Sequence, residues 1–76
     1  MTIYKSFQGG VMEIHLNGKK TESKAGTIMD LVLEQGLNPC SLIAEINFKL
    51  IPQASWKAFP VRPGDIIELL SFVGGG

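Results

Sequence analysis

Apolar and polar side chains alternate along residues 12–16, with Met12, Ile14 and Leu16 set against Glu13 and His15. A period of two predicts a strand with one buried face and one wet face. Asn17-Gly18 follows, a pair suited to the two positive-φ positions of a type I′ turn, so Lys19–Lys24 is predicted to run back as a second strand. Its lysines suit a sheet edge, where charge discourages stray pairing. The period then changes. In "GTIMDLVLEQGLNP", Ile28, Leu31, Val32 and Gln35 fall at i, i+3, i+4 spacing, with Met29 and Leu33 widening the apolar stripe and Asp30 and Glu34 on the solvent side. Thr27 is placed as an N-cap, Asp30 lies near the positive end of the helix dipole, and Gly36 offers a left-handed stop. Pro39 prevents the helix from resuming.

Leu42–Ile46 reads as a third strand, turning at Asn47-Phe48 into a short fourth strand that Pro52 ends after Ile51. "QASWKAF" suits one helical turn, with Trp56 and Phe59 as packing anchors. Arg62–Asp65, "RPGD", has proline and glycine where a turn wants them. "IIELLSFV" is rich in residues that fit a pleated surface and predicts a last strand. A hairpin, a helix over one sheet face, then further strands make an α+β layer arrangement. With the last strand returning beside the first, four to five strands form a mixed sheet packed on one amphipathic helix, the β-grasp or ubiquitin-like fold. Residues 12–73 form that domain, and residues 1–11 read as a poorly ordered leader or extension.

Parity sorts the last strand. Ile67, Leu69 and Ser71 share one face, on which Ile67 and Leu69 are assigned to the core under the helix; Ile66, Glu68, Leu70 and Phe72 share the other. Leu70 and Phe72 are thereby expected in solvent, and with Val73 they are a candidate docking surface. Gly74, Gly75 and Gly76 follow. Without side chains they can take either sign of φ and enter a channel too narrow for a β-carbon. An α-carboxyl titrates near ~3.3–3.7, so a Gly76 terminus is ionised at neutral pH and can attack an activated phosphate.

Composition narrows the classes. Seventy-six residues suffice for one domain, and seven basic side chains balance seven acidic ones. A net charge near zero gives no electrostatic reason to expect nucleic acid or an anionic membrane as partner. The single Cys40 rules out an internal disulfide framework and, with the lone His15, supplies too few ligands for a zinc site. Cys40 is expected to be a small, partly buried apolar residue, and His15 to lie on the polar side of the first strand. No signal peptide or membrane-spanning run is visible, which points to the cytoplasm. There are no paired acids, metal spacing or nucleophile motif, so catalytic residues and a metal site are not expected.

The ordered set "LNGK", "GTIMDLV", "AEINFKLIPQASW", "RPGDIIELL" and the glycine terminus resembles the sulfur carrier proteins of thiamine biosynthesis, the ThiS family. The likeness runs over nearly all of residues 12–76; the three closing glycines, where many members show a pair, and residues 1–11 are departures. The resemblance implies a carrier and co-substrate, with no bound cofactor. A partner related to ubiquitin-activating enzymes would use ATP and Mg²⁺ to adenylate the carboxylate of Gly76, with Gly74–Gly76 entering partner active sites. Sulfur from a cysteine desulfurase persulfide would displace AMP and leave a thiocarboxylate, which thiazole synthase would accept. A molybdopterin-synthase small subunit shares the fold and tail chemistry. However, members of that group tend to have proline before the closing valine and to lack the Pro-x-x-x-Trp element seen here in Pro52 and Trp56. A lysine-conjugating protein modifier and a plain binding module stay open as further readings.

Overall fold

The computed structural model describes residues 10–72. Strands β1 (Met12–Leu16) and β2 (Lys19–Ser23) form the first hairpin, followed by helix α1 (Ile28–Glu34), β3 (Leu42–Ile46), β4 (Lys49–Ile51) and β5 (Ile66–Ser71). Short 3-10 turns at Pro39–Ser41 and Gln53–Ser55 fill the connections. The five strands form one sheet in the order β2-β1-β5-β3-β4. β1 and β5 run parallel while the other pairs are antiparallel, so the last strand lies at the centre of a mixed sheet. This is the β-grasp architecture expected from the element order. The lysine-rich β2 occupies an edge, and it stops at Ser23, one residue short of the predicted Lys24.

Both hairpins turn on an asparagine. Asn17 and Gly18 hold φ of 51° and 82°, and Asn47 and Phe48 hold 50° and 71°. The Arg62–Asp65 turn closes with Asp65 N–H donating to Arg62 O at 3.1 Å, with Gly64 at φ 83°. Proline second and glycine third in a turn with that sign of φ is type II geometry.

Helix α1 has only seven residues, about two turns at 3.6 residues each, so nearly all its free end groups need outside partners. Asp30 N–H donates to Thr27 Oγ1 at 3.1 Å while Thr27 N–H donates to Asp30 Oδ2 at 3.2 Å, a reciprocal capping box. Ile28 and Met29 N–H donate to Phe59 O and Trp56 O in the loop after β4. At the other end Gly36 N–H bonds Leu33 O and Leu37 N–H bonds Val32 O, with Gly36 at φ 71°. That is the Schellman pattern.

The core lies between the helix and the sheet. Ile28, Leu31 and Val32 are fully buried against Ile14, Ile67 and Ala44. Trp56, 1% exposed, closes the open end of this layer and donates from Nε1 to Ile51 O at 2.9 Å. Phe59 is half-buried against the same core. Two expectations fail here. Leu33 is 59% exposed, because at about 100° per residue it stands roughly 140° round from Ile28, on the side that no other element covers among the described residues. Cys40 is exposed as well, in a 3-10 turn none of whose residues is buried. Glu34 faces solvent but is also a joint: its carboxylate accepts Ser23 Oγ–H at 2.6 Å and Lys24 N–H at 2.9 Å, tying the helix end to β2.

Candidate functional site

The strand that leads to the chain's end is held from both sides. β3 pairs with β5 along its length, from Ile46 opposite Ile67 to Leu42 opposite Ser71. On the other side β1 ends at Leu16, and the backbone alone would leave the upper half of β5 without partners. Asn17 continues the ladder. Its N–H donates to Ile67 O at 2.9 Å and its side-chain Oδ1 accepts from Leu69 N–H at 2.8 Å. Asn47 does the same from the β3 side, donating N–H to Ile66 O at 2.7 Å and accepting Ile66 N–H on Oδ1 at 2.9 Å. Its Nδ2 donates to Asp65 Oδ1 at 3.0 Å, and Asp65 Oδ2 accepts Arg62 N–H at 2.8 Å. Both asparagines tolerate left-handed φ and carry a side-chain acceptor, which explains why this residue type stands at both turns.

β5 ends at Ser71, two residues before the predicted end of the strand. Phe72 N–H still donates to Ser41 O at 3.0 Å, fastening the chain beside the 3-10 turn. Val73, Gly74, Gly75 and Gly76, predicted as part of the docking surface and as the reactive tail, lie outside the described residues. So does the predicted leader, apart from Gly10 and Val11.

Side-chain parity along β5 is as expected: Ile67 and Leu69 are buried, while Leu70 and Phe72 are 52% and 44% exposed. Sequence reasoning did not bring in Ile43, 40% exposed and directly opposite Leu70 on β3. Leu50 and Phe48, in and beside β4, extend the apolar area toward the second hairpin. Only the strand register reveals this grouping, because the residues come from separate parts of the chain.

Other chemistry is sparse. Among the described residues no group of three or more His, Cys, Asp or Glu could hold a metal ion, and no helix is long and apolar enough to cross a membrane. Two shallow depressions, one between β2 and the helix end and one beside the Gln53–Ser55 turn, hold no nucleophile poised against a free base. The Ser23–Glu34 contact in the first is closed by Ala25 N–H on Ser23 Oγ at 3.0 Å. His15 is half-exposed on β1.

Known proteins share this arrangement. The sulfur carrier protein ThiS of Bacillus subtilis is 35% identical over 65 residues, covering 83% of this chain and 98% of the relative. Thiazole synthases of Magnetococcus marinus and Paramagnetospirillum magneticum are 33% and 29% identical over 66 residues, and the chain spans only 20% of each. The crystal structure of the thiamine biosynthesis protein ThiS from Geobacter metallireducens superposes with a TM-score of 0.73 at 26% identity, covering 86% of this chain and all of that one. The ThiS family model matches residues 9–76; with that span, from just before β1 through the closing glycines, the chain belongs to the ThiS family.

Proposed function

We propose that this chain is a sulfur carrier of thiamine biosynthesis, working in the cytoplasm, whose reacting group is the carboxylate of Gly76. One observation carries the reading: the central strand, pinned on both edges by Asn17 and Asn47, ends on an exposed apolar face and passes directly into Val73-Gly74-Gly75-Gly76. A rigid base and a slender end suit a chain that must be gripped by its body while its terminus enters another protein's active site. Four extended residues span at most roughly 13–14 Å, so the partner's reaction centre would lie close to where it grips Phe72.

The chemistry falls to partners. An activating enzyme joins the Gly76 carboxylate to the α-phosphate of ATP, with Mg²⁺ on the phosphates, and releases pyrophosphate. The acyl adenylate is then a good electrophile. A persulfide sulfur from a cysteine desulfurase attacks the acyl carbon, AMP leaves, and a second thiol cleaves the acyl disulfide to free a thiocarboxylate. That sulfur nucleophile passes to thiazole synthase. The two thiazole synthase relatives support this last partner, since a segment similar to this chain lies within their own polypeptides. Leu70, Phe72 and Val73 form the approach that partners hold.

Intact mass spectrometry tests the proposal. The chain is incubated with ATP, Mg²⁺, the activating enzyme, desulfurase and cysteine beside a version ending at Gly75. Exchange of one oxygen for sulfur on Gly76, absent from the truncation, is the expected result. An unchanged mass with partners shown to be active would overturn it.

A further inference from the structure

The pairing of β3 with β5 does not end as a regular ladder ends. Leu42 stands opposite Ser71, so the next pair along is Ser41 with Phe72. A hydrogen-bonded antiparallel pair exchanges two backbone bonds. This pair makes one, Phe72 N–H to Ser41 O at 3.0 Å, because Ser41 N–H is given to Asn38 O at 3.2 Å inside the 3-10 turn. The carbonyl that holds Phe72 therefore belongs to the Pro39–Ser41 turn and not to a strand, and its place is set by whatever sets the turn.

Two side chains set it. Asn38 caps the turn with Oδ1, which accepts Cys40 N–H at 2.9 Å, and Pro39 supplies a fixed φ at the turn's start. From outside, Gln53 Nε2 donates to Pro39 O at 3.0 Å. Gln53 opens the other short turn, Gln53–Ser55, so the connection after β4 braces the connection before β3. Asn38 and Gln53 are both exposed and add nothing to the core. Their bonds lead one way: Gln53 to Pro39, the turn to Ser41, and Ser41 to Phe72. On the β1 side Asn17 reaches up β5 to Leu69; above that point the pairings of β5 are with β3 and this turn. The sequence then runs Val73-Gly74-Gly75-Gly76, and glycines have no side chain by which the body could steer them. Among the described residues, Phe72 N–H is the last group that fixes the heading of the chain.

We propose that Gln53 and Asn38 are positioning residues for the reaction at Gly76: by fixing the Ser41 carbonyl they set the direction in which the tail leaves the body. The inference rests on the carrier reading above and adds residues that act on the terminus through the turn. A partner that grips the body presents its reaction centre in one place. A carboxylate delivered from a fixed root reaches that place in a larger share of complexes, a gain in orientation rather than in affinity. Loss of the brace thus lowers kcat and leaves KM for the chain where it was.

The test compares Gln53→Ala and Gln53→Glu, which keeps the shape and loses the donor, with Asn38→Ala and Asn38→Asp, which keeps the acceptor. Gln35→Ala, an exposed residue whose side chain makes none of these bonds, is the control. Pyrophosphate turnover by the activating enzyme reports adenylation of the full chain, and varying the chain separates kcat from KM. Amide exchange at Phe72 is read by NMR in the free chain, and thermal unfolding is followed in parallel. In Gln53→Ala, Gln53→Glu and Asn38→Ala, exchange at Phe72 quickens about two- to twelvefold, the range for one hydrogen bond, while Leu69 keeps its protection. The kcat falls by about the same factor and KM stays within about twofold. Asn38→Asp and Gln35→Ala match wild type in both readings. Wild-type kcat in Gln53→Ala and Asn38→Ala overturns the inference, and so does unchanged exchange at Phe72. A rise in KM at constant kcat makes these residues docking contacts and overturns it too, as does a loss shared by Gln35→Ala or one that tracks the melting temperature. If the wild-type chain supports no pyrophosphate turnover with an enzyme shown to be active, the carrier reading falls and this inference with it. Wild-type turnover that the variants leave unaltered overturns this inference alone.

Discussion

Asn17 does two things at one position, and three substitutions separate them. Its backbone sits at φ 51°, where a residue with a β-carbon but no local hydrogen bond pays about 1–2 kcal/mol relative to glycine. Its Oδ1 is the acceptor for Leu69 N–H, and a buried donor left without a partner costs about 1–3 kcal/mol. Asn17→Asp keeps both the tolerated backbone and the acceptor, and is expected to cost less than about 0.5 kcal/mol, like an ordinary surface change. Asn17→Gly keeps the backbone and loses the acceptor. With about 0.4–1 kcal/mol added for the freer unfolded chain, it should cost about 1.5–4 kcal/mol. Asn17→Ala loses both and should cost about 2–5 kcal/mol. A chain of 76 residues has a total stability of about 4–11 kcal/mol, so the alanine variant is expected to be partly unfolded at 37 °C.

Urea unfolding followed by circular dichroism reads these values, provided the slope of the transition is unchanged. Amide exchange at Leu69 gives a local reading, with protection kept in the aspartate variant and lost in the other two. The order Asp, Gly, Ala is the substance of the prediction. Alanine no worse than glycine would show that the turn holds no backbone strain. Aspartate as harmful as glycine would show that the Asn17 acceptor does not hold β5.

Three other changes follow from single observations. Trp56→Phe strands the buried Ile51 carbonyl and leaves a smaller ring in a site where the indole is 1% exposed; a loss of about 2–4 kcal/mol is expected by chemical denaturation. Gly64→Ala places a Cβ in open space at φ 83°, so thermal unfolding should show only the backbone cost, about 1–2 kcal/mol. Glu34→Ala removes the acceptor for Ser23 Oγ and Lys24 N–H and should cost about 1–3 kcal/mol. Amide exchange then quickens at the β2 end, Lys24 and Ala25, before it does so in β5.

Much of this fold is legible because its signals are local. The alternation of β1, the Asn17-Gly18 turn and the Thr27–Gly36 helix punctuation each lie within a few residues of chain, and parity alone put Ile67 and Leu69 inside. What was not legible depends on residues far apart in sequence. Asn17 and Leu69 are 52 positions apart, and no window that reads a turn can show that its side chain completes a ladder to another strand. Glu34 reads as a solvent-side charge until β2 is brought beside the helix end. Ile43 joins Leu70 only once register sets them opposite, so the apolar face read from β5 alone was half of the surface. Leu33 and Cys40 fail in the other direction: hydrophobic character promised burial, but among the described residues both stay exposed.

The division of labour between body and tail has a physical reason. Under the carrier reading proposed above, an end of three glycines is narrow but carries no side chain, so it gives a partner little beyond its slenderness to identify. Discrimination has to come from side chains, and the nearest fixed ones lie on β5 and the strand beside it. For them to act on the terminus, β5 must not slide. A slip of one residue would turn Glu68, Leu70 and Ile66 inward and expose Ile67 and Leu69. The asparagine acceptors on Ile66 and Leu69 N–H fix that register from both flanks, at places where the regular ladders end. The strand that leads into the glycines is therefore central rather than at an edge, and its fixed register holds Leu70 and Phe72 in one place on the outer face.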